Sequence, residues 1–190
     1  MLKLKIPCDN KCLIDLQAGD QVLISGTIFT ARDAAHKRMF EAVEKGEDLP
    51  FDIKDQFIYY VGPTPAMPWM VIGSAGPTTS SRMDKYTPTL LDMGLKGMIG
   101  KGYRSEEVVA SIVKNKAVYL AAIGGTGALI SRTIKEMEVV AYKELGPEAI
   151  YKLTVEDFPA TVIIDSQGSD WYSIGKTIFN DTKNKEKTQS

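Results

Sequence analysis

Short continuous apolar runs alternate along the chain with stripes in which apolar residues recur every three or four positions. VLISGTIFT (22–30), rich in β-branched residues, predicts a buried strand, and ARDAAHKRMFEAVEKG (31–46) predicts a helix closed by Gly46. FIYYVG (57–62) and WMVIGSA (69–75) predict two further strands joined by the proline-rich turn PTPAMP. After GPTTSSR (76–82), the segment MDKYTPTLLDMGL reads as an amphipathic helix running to about Gly94, which puts Arg82 in its first turn. GMIG (97–100) is a short strand. SEEVVASIVKN (105–115) carries Val108, Val109, Ile112 and Val113 on one helical face behind a Ser105 cap, and AVYLAAI (117–123) follows as a buried strand. GGTGALISRTIKEM reads as a glycine turn entering a helical segment, and EVVAY, LTVED and TVIID make a strand-rich ending. The expectation is a mixed α/β domain over residues 1–180 with some antiparallel pairing, then a disordered polar tail over 181–190.

Composition narrows the partners. A chain of 190 residues supports one sizeable core, and 23 Lys plus Arg against 24 Asp plus Glu give a net charge of -1. Such a balance supplies no field to recruit nucleic acid or an anionic membrane. The longest apolar run, AVYLAAIGGTGALI, is interrupted by glycines and falls short of the roughly 18 residues of a membrane span, so a soluble, cytoplasmic protein is expected. Cys8 and Cys12 are the only cysteines; PCDNKC lacks the further cysteines of a cluster loop or zinc ribbon, so both are read as reduced thiols and no metal site is assigned.

The placement of cations changes the picture more. Arg32 follows the first long strand at a helix start, Arg82 occupies a helix start after GPTTSS, and Lys101 follows GMIG between two glycines that permit close approach of a ligand. In open α/β sheets ligands gather beyond the carboxyl ends of strands, and a bound anion offsets a guanidinium set against the helix dipole. Two arginines and a lysine suit a small dicarboxylate, and phosphate meets the same geometry. Taken singly, each cation also has a structural reading: Asp33 can pair with Arg32, Asp84 with Arg82, and one hydroxyl of Thr78 to Ser81 can cap the helix. His36, the sole histidine, lies one turn after Arg32 and is assigned, with Asp33, to support the site from behind. GGTGAL departs from a dinucleotide fingerprint at Ile130, and GLKGMIGKG departs from a phosphate-binding loop in spacing and at Gly102.

SGTIFTARDAAHKRM, YYVGPTPA, GPTTSSRMD, MIGKG and VEDFPATVIIDSQG together resemble the C-terminal domain, or separate beta subunit, of the iron-sulfur class I fumarases and the related L-tartrate dehydratases, over roughly residues 18–168. The resemblance implies a swivelling β/β/α domain and maps substrate binding onto Arg32, Arg82 and Lys101, with Thr78 as the catalytic proton-transfer residue. It implies a [4Fe-4S] cluster carried by an alpha subunit, whose open iron acts as a Lewis acid, in a heterotetramer of two alpha and two beta chains. The activity implied is reversible hydration of fumarate to malate, within the tricarboxylic acid cycle, with L(+)-tartrate dehydration, a non-catalytic dicarboxylate sensor and a nucleotide-binding module as alternatives.

Overall fold

The computed structural model describes residues 1–122 and 127–188. Among them the strands are β1 (Leu2–Ile6), β2 (Gln21–Thr30), β3 (Phe57–Tyr59), β4 (Gly97–Gly100), β5 (Val118–Ala121), β6 (Ile134–Ala141) and β7 (Ile150–Ile164). The helices are α1 (Asn10–Leu13), α2 (Asp33–Glu44), α3 (Thr87–Asp92), α4 (Glu106–Asn115), α5 (Gly127–Thr133) and α6 (Trp171–Thr188), with 3-10 segments at Ser80–Met83 and Lys143–Glu148.

Strands β2, β3, β4 and β5 pair in parallel in that order, and the long antiparallel β7 pairs with β5 through one stretch and with β2 through another, so five strands close into a ring. β1 runs alongside the first half of β2, and β6 alongside the first half of β7. This is the mixed-sheet α/β class expected from the sequence. Alternation along the strands separates two cores: Phe57, Tyr59 and Val61 pack with Ile28, Ile99, Leu120 and Phe158, whereas Ile58 and Tyr60 pack with Met39, Leu90, Met98, Ile112 and Tyr119. The first set fills the ring, and the second lies under α2, α3 and α4. Strands buried on both faces read as continuous apolar runs, which is why FIYYVG and AVYLAAI show no polar alternation.

Several local expectations are corrected. WMVIGSA is not a strand: Pro63, Pro65 and Pro68 remove backbone donors, and the segment is an irregular loop clasped at its base, where Thr64 N donates to Ser74 O and Ser74 N to Thr64 Oγ1. The helix expected through Gly94 divides into the Ser80–Met83 turn and α3, which restarts with Pro88 in its first turn. Arg82 therefore ends a 3-10 turn and opposes no helix dipole. The four-hydroxyl stretch supplies no side-chain cap to that turn, whereas Ser105 Oγ does cap α4, accepting from Val108 N at 3.3 Å. IKEM leaves the helix and opens β6, because α5 stops at Thr133 and Ile134 enters the barrel core. LTVED and TVIID are one strand, β7. The tail read as disordered continues α6 as far as Thr188, no glycine or proline following Gly175 to stop it. Of GGTG, Gly124 to Thr126 lie outside the described residues.

Cys8 and Cys12 are joined as a disulfide rather than held as separate thiols. Asp9 caps the single turn of α1 by accepting from Lys11 N at 2.9 Å, and that turn brings residues four apart to a Cα separation of 6.2 Å.

The helices are locked to the barrel by a buried ion pair that the sequence did not disclose. Asp84 Oδ1 accepts from Arg104 Nε at 2.7 Å, and its Oδ2 accepts from Ser105 N at 2.7 Å. Arg104 also donates to Thr87 Oγ1 at 2.8 Å and lies over the rings of Tyr60 and Tyr119. Its side chain is 0% exposed. Removing the carboxylate would leave a desolvated guanidinium without its counter-charge, so Asp84→Ala is expected to destabilise the domain by about 3 to 5 kcal/mol. Thermal unfolding should show a midpoint lowered by roughly 10 °C for a domain of this size.

Candidate functional site

The carboxyl ends of β2, β3 and β4 lie side by side, and each hands a segment to the same face. β2 ends at Thr30 and leads to Arg32, which holds the N-cap position of α2 in an extended conformation. A guanidinium cannot accept a hydrogen bond, so Arg32 does not cap its own helix. Glu148 reaches across instead: its Oε2 accepts from Ala34 N at 3.0 Å, and its Oε1 lies 3.6 Å from Arg32 Nη2. β3 leads through Val61 to Gly62, where a Cβ would collide with the Arg32 guanidinium, so glycine is required for the arginine to lie across this strand end.

Asp33 links the two arginines. Its Oδ1 lies 3.5 Å from Arg82 Nε and its Oδ2 lies 4.0 Å from Arg32 Nε. The structure thus pairs Asp33 with both guanidiniums and gives Asp84 to Arg104 rather than to Arg82. Arg32 Nε is buried and makes no hydrogen bond among the described residues, an unsatisfied donor beside a second, open arginine. The Arg82 side chain is 48% exposed.

Lys101 comes to the same face from β4, held by its backbone. Lys101 N donates to Ser80 Oγ at 3.1 Å, and Ser80 N donates to Lys101 O at 2.9 Å. Tyr119 Oη donates to Gly102 O at 2.9 Å, so at its 2.9 Å contact with Ser80 it is the serine hydroxyl that donates. Gly100 permits this approach, since a Cβ there would meet Ser80 Oγ. The Lys101 ammonium forms no ion pair among the described residues. Beside it lies an open recess of about 320 Å³ between β5, β7 and α6. Thr78 is placed by its backbone, Thr78 N donating to Tyr60 O at 2.7 Å, and is half-buried with its hydroxyl unpartnered among the described residues.

His36 stands behind these groups and does not reach the surface. It is fully buried, its Nδ1 donates to Arg32 O at 2.9 Å, and its ring meets Tyr60 edge-on. Burial pushes its pKa down to about 4, with the Arg104 charge adding to the effect and the bond to the Arg32 carbonyl opposing it. The histidine is neutral near pH 7, so it fixes the backbone that carries Arg32 without adding charge. Sequence reading missed Glu148 and Arg104; the signal for Glu148 was the arginine at a helix N-cap, which leaves a donor that some distant acceptor must satisfy.

No group of three or more His, Cys, Asp or Glu suited to a metal occurs among the described residues, and both cysteines are consumed by their disulfide. The donor set here does not fit an iron-sulfur cluster. Two guanidiniums joined through Asp33 are chemically suited to a small anion.

Comparison with known proteins places the fold. Residues 1–175 match the family described as Fumarase C-terminus. The chain belongs to this fumarase C-terminal family. It is 43% identical over 164 residues to the anaerobic class I fumarate hydratase of Escherichia coli K12, covering 84% of this chain and 30% of that protein. It is 39% identical over 174 residues to fumarate hydratase 2 of Leishmania major, covering 90% and 31%. With a Methanocaldococcus jannaschii protein named "Putative L(+)-tartrate dehydratase subunit beta", it shares 36% identity over 172 residues, covering 86% of this chain and 88% of the relative. The chain therefore spans about a third of the length of the fumarate hydratases it matches and nearly all of the beta subunit.

The buried imidazole of this fumarase-family domain sets a pH dependence. The unfolded chain takes up a proton at His36 near pH 6.5 and the folded chain only near 4, so stability falls as the pH drops through that window and levels off below it. The loss amounts to about 3 kcal/mol. Urea unfolding of wild type and His36→Gln between pH 7 and 4 should show a difference in stability that shrinks toward low pH by that amount.

Proposed function

We propose that this chain is the beta subunit of an iron-sulfur hydro-lyase that interconverts fumarate and malate, and that it supplies the carboxylate-binding wall of a site shared with a second, cluster-bearing alpha subunit. The observation that carries the reading is the joining of Arg32 and Arg82 through Asp33, with Lys101 following a strand of the same parallel set, in a fumarase-family domain. The cluster belongs to the partner because the donors of this chain do not fit it. A cytoplasmic location and a tricarboxylic acid cycle role belong to the same reading.

Hydration of fumarate adds a proton to one carbon of the double bond and a hydroxyl to the other. Removing that proton in the reverse direction builds negative charge on the adjacent carboxylate, and a preorganised guanidinium stabilises this charge more than the ground state. Arg82, with its side chain about half exposed, is assigned to one carboxylate, and Arg32 and Lys101 to the remaining charge. Thr78 is the proton relay. An isolated threonine hydroxyl is too weak an acid to be an alkoxide near neutral pH, so the relay needs a carboxylate from the alpha subunit. L(+)-tartrate is the second reading, supported by the near full-length match to a relative bearing that name; it is also a four-carbon dicarboxylate and would use the same cations.

The surface beside the site fits such a partner. The loop from Gly62 to Ser74 follows β3, the neighbour of the strand that leads to Arg32, and exposes Met67, Trp69, Met70 and Val71, with Trp69 at 79%. In the single-chain fumarate hydratases the matched region is only about 30% of the protein, so a chain equivalent to the remainder is the occupant proposed for this loop. By the commonness of twofold assemblies the complex is a heterotetramer of two alpha and two beta chains.

Four outcomes are expected. The purified chain should hydrate neither fumarate nor dehydrate tartrate alone, and activity should appear on anaerobic co-purification with the alpha subunit; activity of the single chain would contradict the reading. Trp69→Ser should weaken that association by at least tenfold in sedimentation or light scattering, as expected for an exposed aromatic anchor. In the complex, Arg82→Lys should keep assembly but lower kcat/KM by about tenfold or more, through loss of the planar fork. Thr78→Ala should lose mainly kcat, and steady-state kinetics on fumarate and tartrate separates these effects.

A further inference from the structure

Glu148 sits 116 positions beyond Arg32 in sequence, yet its carboxylate is divided between that arginine and the helix that follows it. One oxygen accepts from Ala34 N at 3.0 Å, and the other lies 3.6 Å from Arg32 Nη2. The turn that carries it is itself anchored to the end of β2. Thr30 Oγ1 donates to Ala149 O at 3.3 Å and accepts from Tyr151 N at 3.0 Å, so one threonine, two residues before Arg32, holds the backbone on both sides of Ile150, just beyond Glu148. Tyr151 Oη donates to Gly146 O at 2.9 Å, and Arg38 of α2 pairs with Glu144 and lies over the Tyr142 ring. The whole 142–151 connection is thus fastened to the β2–α2 junction.

From this arrangement we infer that Glu148 is a positioning residue for Arg32. A lone arginine at a helix N-cap would swing freely, and the first-turn amides would seek water. Glu148 removes both freedoms with one carboxylate: it satisfies the Ala34 amide and holds the Nη2 edge, while Gly62 backs the Nη1 side and Asp33 stands near Nε. Three restraints on one guanidinium leave it a single orientation, with Nε buried and unbonded among the described residues. Glu148 does not itself touch that ligand. As an anion beside an anion site it also weakens the field that substrate meets, so it trades some attraction for a fixed fork, which matters more for a planar bidentate grip than for a point charge.

The kinetic arm of the test rests on the function proposed above, whereas the spectroscopic arm does not. Glu148→Gln keeps an oxygen for Ala34 N and loses the charge that holds Arg32. In the full chain, the Arg32 Nε–H cross-peak, assigned by its disappearance in Arg32→Lys, should shift and exchange faster with solvent in Glu148→Gln, while the melting temperature stays within a few degrees of wild type. In the complex with the alpha subunit, KM for fumarate should rise about tenfold with kcat changed less than twofold, the pattern of lost uniform binding. Should Glu148→Gln fail to fold, Glu148→Asp, which keeps the charge but is one methylene too short to serve both partners, should give the same two changes. An unmoved Arg32 resonance overturns the inference. So does a lowered melting temperature with unchanged KM, which would reduce Glu148 to a helix cap. An inactive wild-type complex would count against the proposed function alone, and the Arg32 resonance would still decide the role of Glu148.

Discussion

The ion pair between Asp84 and Arg104 is the constraint on which the geometry of the domain rests. A guanidinium taken fully out of water is costly unless every donor finds an acceptor, and Arg104 finds Asp84, Thr87 and the faces of Tyr60 and Tyr119. These partners come from the turn after Ser80–Met83, from α3, from the end of β3 and from β5, so satisfying one side chain fixes the spacing of all four. The segments fixed are those that carry Thr78, Arg82 and Lys101. Met83 and Ser80, both buried, seat the same turn in the helix-side core and against the Tyr119 hydroxyl.

On that base, function follows from how exposed charge is managed. Arg32 and Arg82 would repel each other across a bare surface, and Asp33 between them offsets the repulsion while engaging only the Nε edges. His36 contributes by being neutral: burial depresses its pKa, and the nearby Arg104 charge adds to the effect. The site is an open wall rather than an enclosed pocket, as suits a domain that spans about 30% of the fumarate hydratases it matches.

Much of this was legible in the sequence, and the limits have physical causes. Continuous apolar runs announced β2, β4 and β5, and the Ser105 cap announced α4, because local chemistry alone decides them. Arg32, Arg82 and Lys101 stand out by their position after strands, and the structure joins the two arginines through Asp33. The residues that restrain them were not legible: Glu148 acts across a separation of 114 residues from Ala34, and Arg104 looks like any surface arginine until the fold encloses it. WMVIGSA misled because apolar residues were taken as a strand where three prolines and a clasped loop expose them instead. The i, i+4 pairing of Cys8 with Cys12 depends on the single turn of α1, which four residues do not advertise.

The central claim is that Arg32, Arg82 and Lys101 form one anion site completed by a second chain. A crystal structure of the complex with the alpha subunit, soaked with a non-reactive four-carbon dicarboxylate, tests it most directly. The account predicts one carboxylate within about 3 Å of the Arg82 Nη fork, as charge-assisted bidentate pairs require, and the other charge met by Arg32 or Lys101. A dicarboxylate bound with Arg82 turned to solvent, or bound wholly within the alpha subunit, would contradict it.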